Sequence, residues 1–187
     1  MANFLTNIKS KRRWVQFSLR TGFLIVTAFC LTLGLWVVPA ERQRRAVAAI
    51  EGLGGTVWYQ QATKSNAFAT AYLRRWLPPI YFDKIELVDF DATWITDAGL
   101  AHLQGLTSLQ ELDLNHTQVT DAGLAHLQKL TSLQWLYLRN TQVTDAGLGH
   151  LQKLTSLQEL ELYETRVTDA GVAKLRQALP TCKIWGP

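Results

Sequence analysis

From Ile85 onward, apolar residues fall into two patterns that take turns. The first is a short alternation, Leu109-x-x-Leu112-x-Leu114-x-x-Thr117-x-Val119, with polar residues between the leucines, as in a strand covered on one face. The second follows at once. Thr120-Asp121-Ala122-Gly123-Leu124-x-x-Leu127-x-x-Leu130 brings leucines to one side and predicts an outer helix. Thr120 or Asp121 is placed to cap it, because a short side-chain oxygen accepts a free N–H of the first turn. The paired patterns recur with a period of 24 residues, in near-identical copies that begin at Thr96, Thr120 and Thr144. A degenerate unit, Ile85 to Ile95, precedes them, with Ile85, Val88, Phe90 and Ile95 in the apolar slots. Further upstream, "AVAAIEGLGGTVWYQ" reads as helix, glycine turn and strand, and "NAFATAYLRRWLPPIYF" as a helix ended by Pro78-Pro79. A fourth unit starts at Thr168 and breaks at Pro180.

One strand-plus-helix unit cannot bury its own apolar side; stacked units share a core, with parallel strands inside and helices outside. The end units then act as caps. Trp58, Tyr72, Trp76, Tyr81 and Phe82 are expected to pack the first cap, and Ile184 and Trp185 to cover the last core layer. Glycine inside a helix costs about 1 kcal/mol relative to alanine. Its recurrence at Gly99, Gly123, Gly147 and Gly171 predicts crowding between neighbouring helices. Thr93, Thr117, Thr141 and Thr165 are expected to form a buried hydroxyl column that satisfies backbone groups where the chain leaves the sheet.

These motifs resemble leucine-rich repeats, in the helical class with a Thr-Asp-x-Gly-Leu turn, continuously over residues 85–179. The resemblance implies an α/β, right-handed solenoid with an inner parallel sheet and outer helices. Such repeats usually carry Asn or Cys where this chain has the four threonines.

The segment before the repeats differs in kind. Residues 1–45 hold eight Lys or Arg against one acid, and residues 46–187 eleven against fourteen, so the basic balance belongs to the N-terminal end. A nucleic-acid binder places its basic surface on the folded module, and nucleic acid is therefore not an expected partner. Thr21 to Ala40 carries no charge and, as a helix, would span about 30 Å, the thickness of a bilayer's hydrocarbon core. Five cations precede this run and three follow closely, a bias that places residues 1–20 in the cytoplasm and the remainder outside it. Cleavage after Val38-Pro39-Ala40 would instead give a secreted protein. The expected organisation is a basic arm (1–20), a transmembrane helix or signal anchor (21–40), a linker and cap (41–84), repeats (85–179) and a C-terminal cap (180–187). This arrangement is similar to bacterial membrane-anchored leucine-rich-repeat proteins. The similarity implies a cell-surface or periplasmic binding role.

The first two copies differ at Gly105/Lys129, Glu111/Trp135, Asp113/Tyr137, Asn115/Arg139 and His116/Asn140. The next pair reuses four of these slots, at Trp135/Glu159, Tyr137/Glu161, Arg139/Tyr163 and Asn140/Glu164. The shared slots project from the strands onto the concave face. His102, His126 and His150, on the outer side, do not vary and read as solvated. The face collects the acids Asp89, Asp91, Glu111, Asp113, Glu159, Glu161 and Glu164, the bases Arg139 and His116, and an aromatic group of Trp135, Tyr137 and Tyr163. Aromatic anchors within a charged rim suit a polypeptide ligand, and the acids favour one with a basic segment.

Catalysis is not expected. An open sheet offers no pocket to desolvate the carboxylates and separate their pKa values. No nucleophile elbow, phosphate loop or zinc spacing occurs, and the two cysteines, Cys30 and Cys182, are not expected to pair. No metal or cofactor is implied. The sequence thus predicts a membrane-tethered, non-enzymatic interaction module. A secreted form and a structural spacer without a specific ligand are the alternatives.

Overall fold

A computed structural model describes Thr27, residues 41–60 and residues 84–186. The predicted span from Thr21 to Ala40, apart from Thr27, and the predicted helix with Tyr72, Trp76, Tyr81 and Phe82 lie outside the described residues. Among the described residues, no helix is long and apolar enough to cross a membrane.

Six strands form one sheet in chain order: β1 (Thr56–Gln60), β2 (Lys84–Asp89), β3 (Glu111–Asp113), β4 (Trp135–Tyr137), β5 (Glu159–Glu161) and β6 (Lys183–Trp185). From β2 to β6 every pair is parallel, and each partner lies 24 residues further on, as in Leu112 beside Leu136 and Leu136 beside Leu160. One repeat therefore completes one coil. Backbone pairing outlasts the short strands: Leu114 N–H donates to Tyr137 O, and His116 N–H to Arg139 O. The first pair departs from the expected all-parallel sheet. β1 runs antiparallel to β2, with a bulge between Trp58 and Tyr59. It belongs to the cap rather than to a coil, and its edge position lets it pair in either direction.

The leucine ladder is the core. Leu109, Leu112, Leu114, Val119, Leu124, Leu127 and Leu130 are fully buried, and their equivalents in neighbouring coils continue one apolar column. At about 25 cal/mol per Å2 of apolar surface removed from water, this column is the main stabilising contribution. Ile85, Val88, Phe90 and Ile95 fill the same slots in the degenerate unit. Residues 41–52 are helical and join this core through Ala46, Val47 and Ile50. Ile184 is buried at the far end.

The outer segments are helical only in part, which corrects the expectation of outer helices for the first two copies. Asp97–Leu100 and Asp121–Leu124 are single α-turns that tighten into 3-10 segments, Ala101–Gly105 and Ala125–Lys129. Leucines spaced by three, as at Leu124, Leu127 and Leu130, are compatible with a 3-10 turn, and the same spacing at Leu148, Leu151 and Leu154 accompanies an α-helix in the next copy. Later coils hold longer α-helices, Asp145–Leu151 and Asp169–Ala178.

The motif Thr-Asp-x-Gly works between coils. Asp121 accepts from the backbone N–H of Thr144 (2.8 Å) and from its hydroxyl (2.6 Å), and Asp97 and Asp145 grip Thr120 and Thr168 in the same way. The threonine, not the aspartate, caps its own helix: Thr120 and Thr144 accept from Ala122 and Ala146, and Thr168 from Gly171. The recurrent glycines make room for this latch. A Cβ on Gly123, Gly147 or Gly171 would overlap the carboxylate of Asp97, Asp121 or Asp145. The second threonine column bonds within its own coil. The hydroxyls of Thr93, Thr117, Thr141 and Thr165 donate to the carbonyls of Phe90, Leu114, Leu138 and Leu162, each three residues earlier. Thr117 and Thr141 are buried, whereas Thr93 and Thr165, in the end coils, are half-buried.

Candidate functional site

Alternation in β3, β4 and β5 sends Leu112, Leu136 and Leu160 into the core and their neighbours onto the open face of the sheet. Parallel register then lines those neighbours up. One row reads Leu87, Glu111, Trp135, Glu159, Lys183, and the next Asp89, Asp113, Tyr137, Glu161, Trp185. Glu111, Asp113, Trp135, Tyr137, Glu159 and Glu161 are all half-buried and share these rows. Arg139 and Tyr163 are exposed and continue beyond the strands.

His116 and Glu164 stand elsewhere. With Ala92 and Asn140 they occupy the left-handed corner where each coil leaves the sheet, at φ of 54° for Ala92, 55° for His116, 51° for Asn140 and 58° for Glu164. Asparagine tolerates that conformation best, and the other three hold it under strain. This row lines a shallow groove of about 460 Å3 together with Trp94, Gln118, Gln142 and Arg166. His116 Nδ1 lies 2.9 Å from Asp91 Oδ1, and Arg139 donates to Glu164 Oε1 at 2.6 Å. Two of the predicted ligand-binding residues, Arg139 and Glu164, thus bind each other in the exposed rim, where such pairs contribute little to stability.

Some polar groups of the face also serve the backbone. Asp89 and Asp113 each accept the N–H two residues on, and Asn115 accepts the N–H of Arg139. On the outer side, His126 and His150 meet Gln104 and Gln128 of the preceding coil, which corrects their reading as simply solvated.

Four residues of the open face were not predicted as part of it. Lys183 and Trp185 follow from adding the repeat period once more to Glu159 and Glu161. Trp185 is 47% exposed and donates its indole N–H to Glu159 Oε1 at 2.8 Å, so it borders the face and does not cover the core as expected. Leu87 follows from the same period applied backward from Glu111. Trp58 pairs beside Leu87 across the antiparallel join and is 63% exposed, which removes it from the cap packing expected of it. No periodicity reaches Trp58.

Two carboxylates of β3, Glu111 and Asp113, do shift, against the expectation for an open sheet. Partial burial, with repulsion from Glu86 and Asp89, raises the pKa of Glu111. Partial burial raises that of Asp113 as well; the N–H of Asn115 opposes the rise, and Asp89, Asp91 and Glu111 add to it. Tyr137 is pushed up by burial and by the four acids on either side, Glu111, Glu159, Asp113 and Glu161. The physical reason is row packing: β3 is half-buried between its neighbours, and the acids of β2 stand one strand away. Cys182 is buried below the face, and its thiol is pushed up to about 11, chiefly by burial. Among the described residues, no three His, Cys, Asp or Glu groups converge to hold a metal ion.

Residues 107–167 match the family model described as leucine rich repeat. Together with one coil per 24 residues and a buried leucine ladder, this match makes the segment a run of leucine-rich repeats in an α/β solenoid. Among solved structures, the chain is similar to internalin C2 of Listeria monocytogenes, at 31% identity over 45% of this chain and 34% of that one, with a TM-score of 0.38. It is also similar to a leucine-rich-repeat protein of Leptospira interrogans, at 25% identity over 45% and 27% of the two chains (TM-score 0.34). The ectodomain of the receptor kinase SOBIR1 from Arabidopsis thaliana gives 11% identity over 78% and 91% (TM-score 0.45). The chain therefore spans about a third of the internalin it resembles. No curated protein matches the chain.

Proposed function

We propose that the protein is a non-enzymatic binding module that takes a polypeptide ligand on the open face of its sheet. One observation carries this reading. Trp135 and Tyr137, with Trp185 at the edge, stand half-buried or exposed between the acids of β3 and β5, in rows that no core contact requires. Large aromatic groups bordered by charge are what protein-binding hot spots are made of, and the acids select a ligand with basic residues. In the same reading, the uncharged run from Thr21 to Ala40 tethers the module to a membrane as a single span, with residues 41–187 outside the cytoplasm.

A photo-crosslinking residue at position 135 of the full chain, in its native membrane, is expected to give a discrete adduct that the same group at position 129 on the outer side does not. Once the partner is identified, Trp135→Ala with Tyr137→Ala is expected to weaken capture at least tenfold, and Lys129→Ala to leave it unchanged. Capture that survives the double substitution would sink the reading. Protease protection of a C-terminal tag tests the orientation, and sequencing of the mature N-terminus separates a retained span from a cleaved one.

A further inference from the structure

The open face changes character strand by strand. Its centre is an aromatic pair on β4 (Trp135, Tyr137) between acid pairs on β3 (Glu111, Asp113) and β5 (Glu159, Glu161), while the flanking strands are mixed, Leu87 with Asp89 on β2 and Lys183 with Trp185 on β6. Adjacent strands are about 4.8 Å apart, so the two acid pairs are about 9.6 Å apart with one aromatic strand between them. On the turn side the band ends at Arg139, whose guanidinium is held by Glu164.

Backbone conformations differ in how they meet that interval. A β-strand returns a side chain to the same face every two residues, at about 6.7 Å or 13 Å, and misses it. A polyproline II segment returns to the same face every three residues, at about 9.3 Å, and matches it. An α-helix comes near the distance only at i and i+7, about 10.5 Å, and its width of about 10–12 Å exceeds a band of two rows. Polyproline segments also present flat apolar rings, which lie well on aromatic side chains.

The geometry points to a ligand in the polyproline II conformation that crosses the strands with Lys or Arg at positions i and i+3. One cation sits over Glu111 and Asp113, the next over Glu159 and Glu161, and the residues between them lie on Trp135 and Tyr137. This inference rests on the open face being the binding surface for a basic polypeptide, and it adds the ligand's backbone form and charge spacing.

Labelled peptides of one composition, two arginines among prolines, distinguish the two levels. They carry the arginines at i,i+2, at i,i+3 or at i,i+5, and a helical peptide carries them at i,i+7. Binding to the full chain is read by fluorescence anisotropy at two salt concentrations. The i,i+3 peptide is expected to bind at least fivefold tighter than the others. Glu159→Gln with Glu161→Gln should abolish that preference, with melting temperature confirming that the variant remains folded. Equal binding at every spacing, or preference for the helical peptide, overturns the polyproline inference and leaves the basic-ligand reading intact. Failure of every peptide to bind overturns both.

Discussion

On the outer side of the coils, Asp121, Thr144 and Gly147 lock together through two hydrogen bonds and a space that admits no Cβ. On the open face, Trp135 and Tyr137 replace Glu111 and Asp113 of the previous coil, and the register continues unchanged. The repeats are constant in the latch and the leucine ladder that join neighbouring coils, and variable in the side chains of the open face. Constancy on the outer side therefore has a structural cause in the latch and in the Gln–His pairs, and it is no measure of what drift would have spared. What argues for binding is the composition of the open face itself, since large aromatic groups in half-exposed rows contribute little to stability.

The sharpest form of this contrast lies within one strand. Leu136 is fully buried and its neighbour Trp135 is not. Leu136→Ala is expected to cost about 3 kcal/mol in urea denaturation, from lost burial and an unfilled cavity. Trp135→Ala should cost under about 1 kcal/mol, because its row contacts are partial and solvated. A comparable loss from both would mean that Trp135 is a core residue, and the distinction between the two faces would be lost.

Most of the fold could be read from the repeat because its cause is local and periodic. Leu112 and Leu114 specify a covered strand, and the 24-residue period specifies what stacks on it. The predicted crowding at Gly123 and Gly147 was legible for the same reason, although the crowding group is the preceding coil's aspartate and not a helix backbone. Three features were not legible. The role of Asp121 lies between coils, and its position just after Thr120 looks identical to that of a cap. The left-handed corner at His116 and Glu164 is a backbone property that side-chain periodicity does not report, so these residues looked like strand positions. Trp58 reaches the open face through an antiparallel cap strand that obeys no repeat. The rows containing Lys183 and Trp185 were legible but were obscured by Pro180, which ends the outer segment and not the sheet.

The latch makes the next-largest prediction. Gly147→Ala drives its new Cβ into the Asp121 carboxylate, which cannot withdraw without releasing Thr144, and about 2 kcal/mol is expected to be lost. Asp121→Ala forfeits the same two hydrogen bonds and should cost about 2 kcal/mol. Combined, the substitutions relieve each other, since no carboxylate remains for the Cβ to meet. The double variant should therefore be more stable than additivity allows by at least about 1 kcal/mol. Strict additivity in a double-mutant cycle would separate the glycine from the latch.

The smallest expected effect sets an acid of each side against the other. Glu111, on the open face, has its pKa raised by burial and by Glu86 and Asp89, so the folded state holds its proton more tightly than the unfolded chain does. Its ionisation opposes folding. That penalty is absent below the ordinary carboxylate range, about pH 4, and develops as pH rises through the raised value. Glu111→Gln should therefore stabilise the protein at pH 7 by a few tenths of a kcal/mol, as its partial exposure limits the effect, and should do nothing near pH 3. Asp145, in the latch, has its pKa lowered by the N–H and hydroxyl of Thr168. Its ionised form favours folding, and its contribution is present above the ordinary range and lost as pH falls through the lowered value. Asp145→Asn should therefore destabilise at pH 7, with the deficit shrinking as the pH drops. Denaturation midpoints of both variants and the wild type between pH 3 and pH 7 are expected to diverge in opposite directions as pH rises. Shifts of the same sign at pH 7 would show that the two acid populations share one environment, and the separation of a latched outer side from an open inner face would fail on electrostatic grounds.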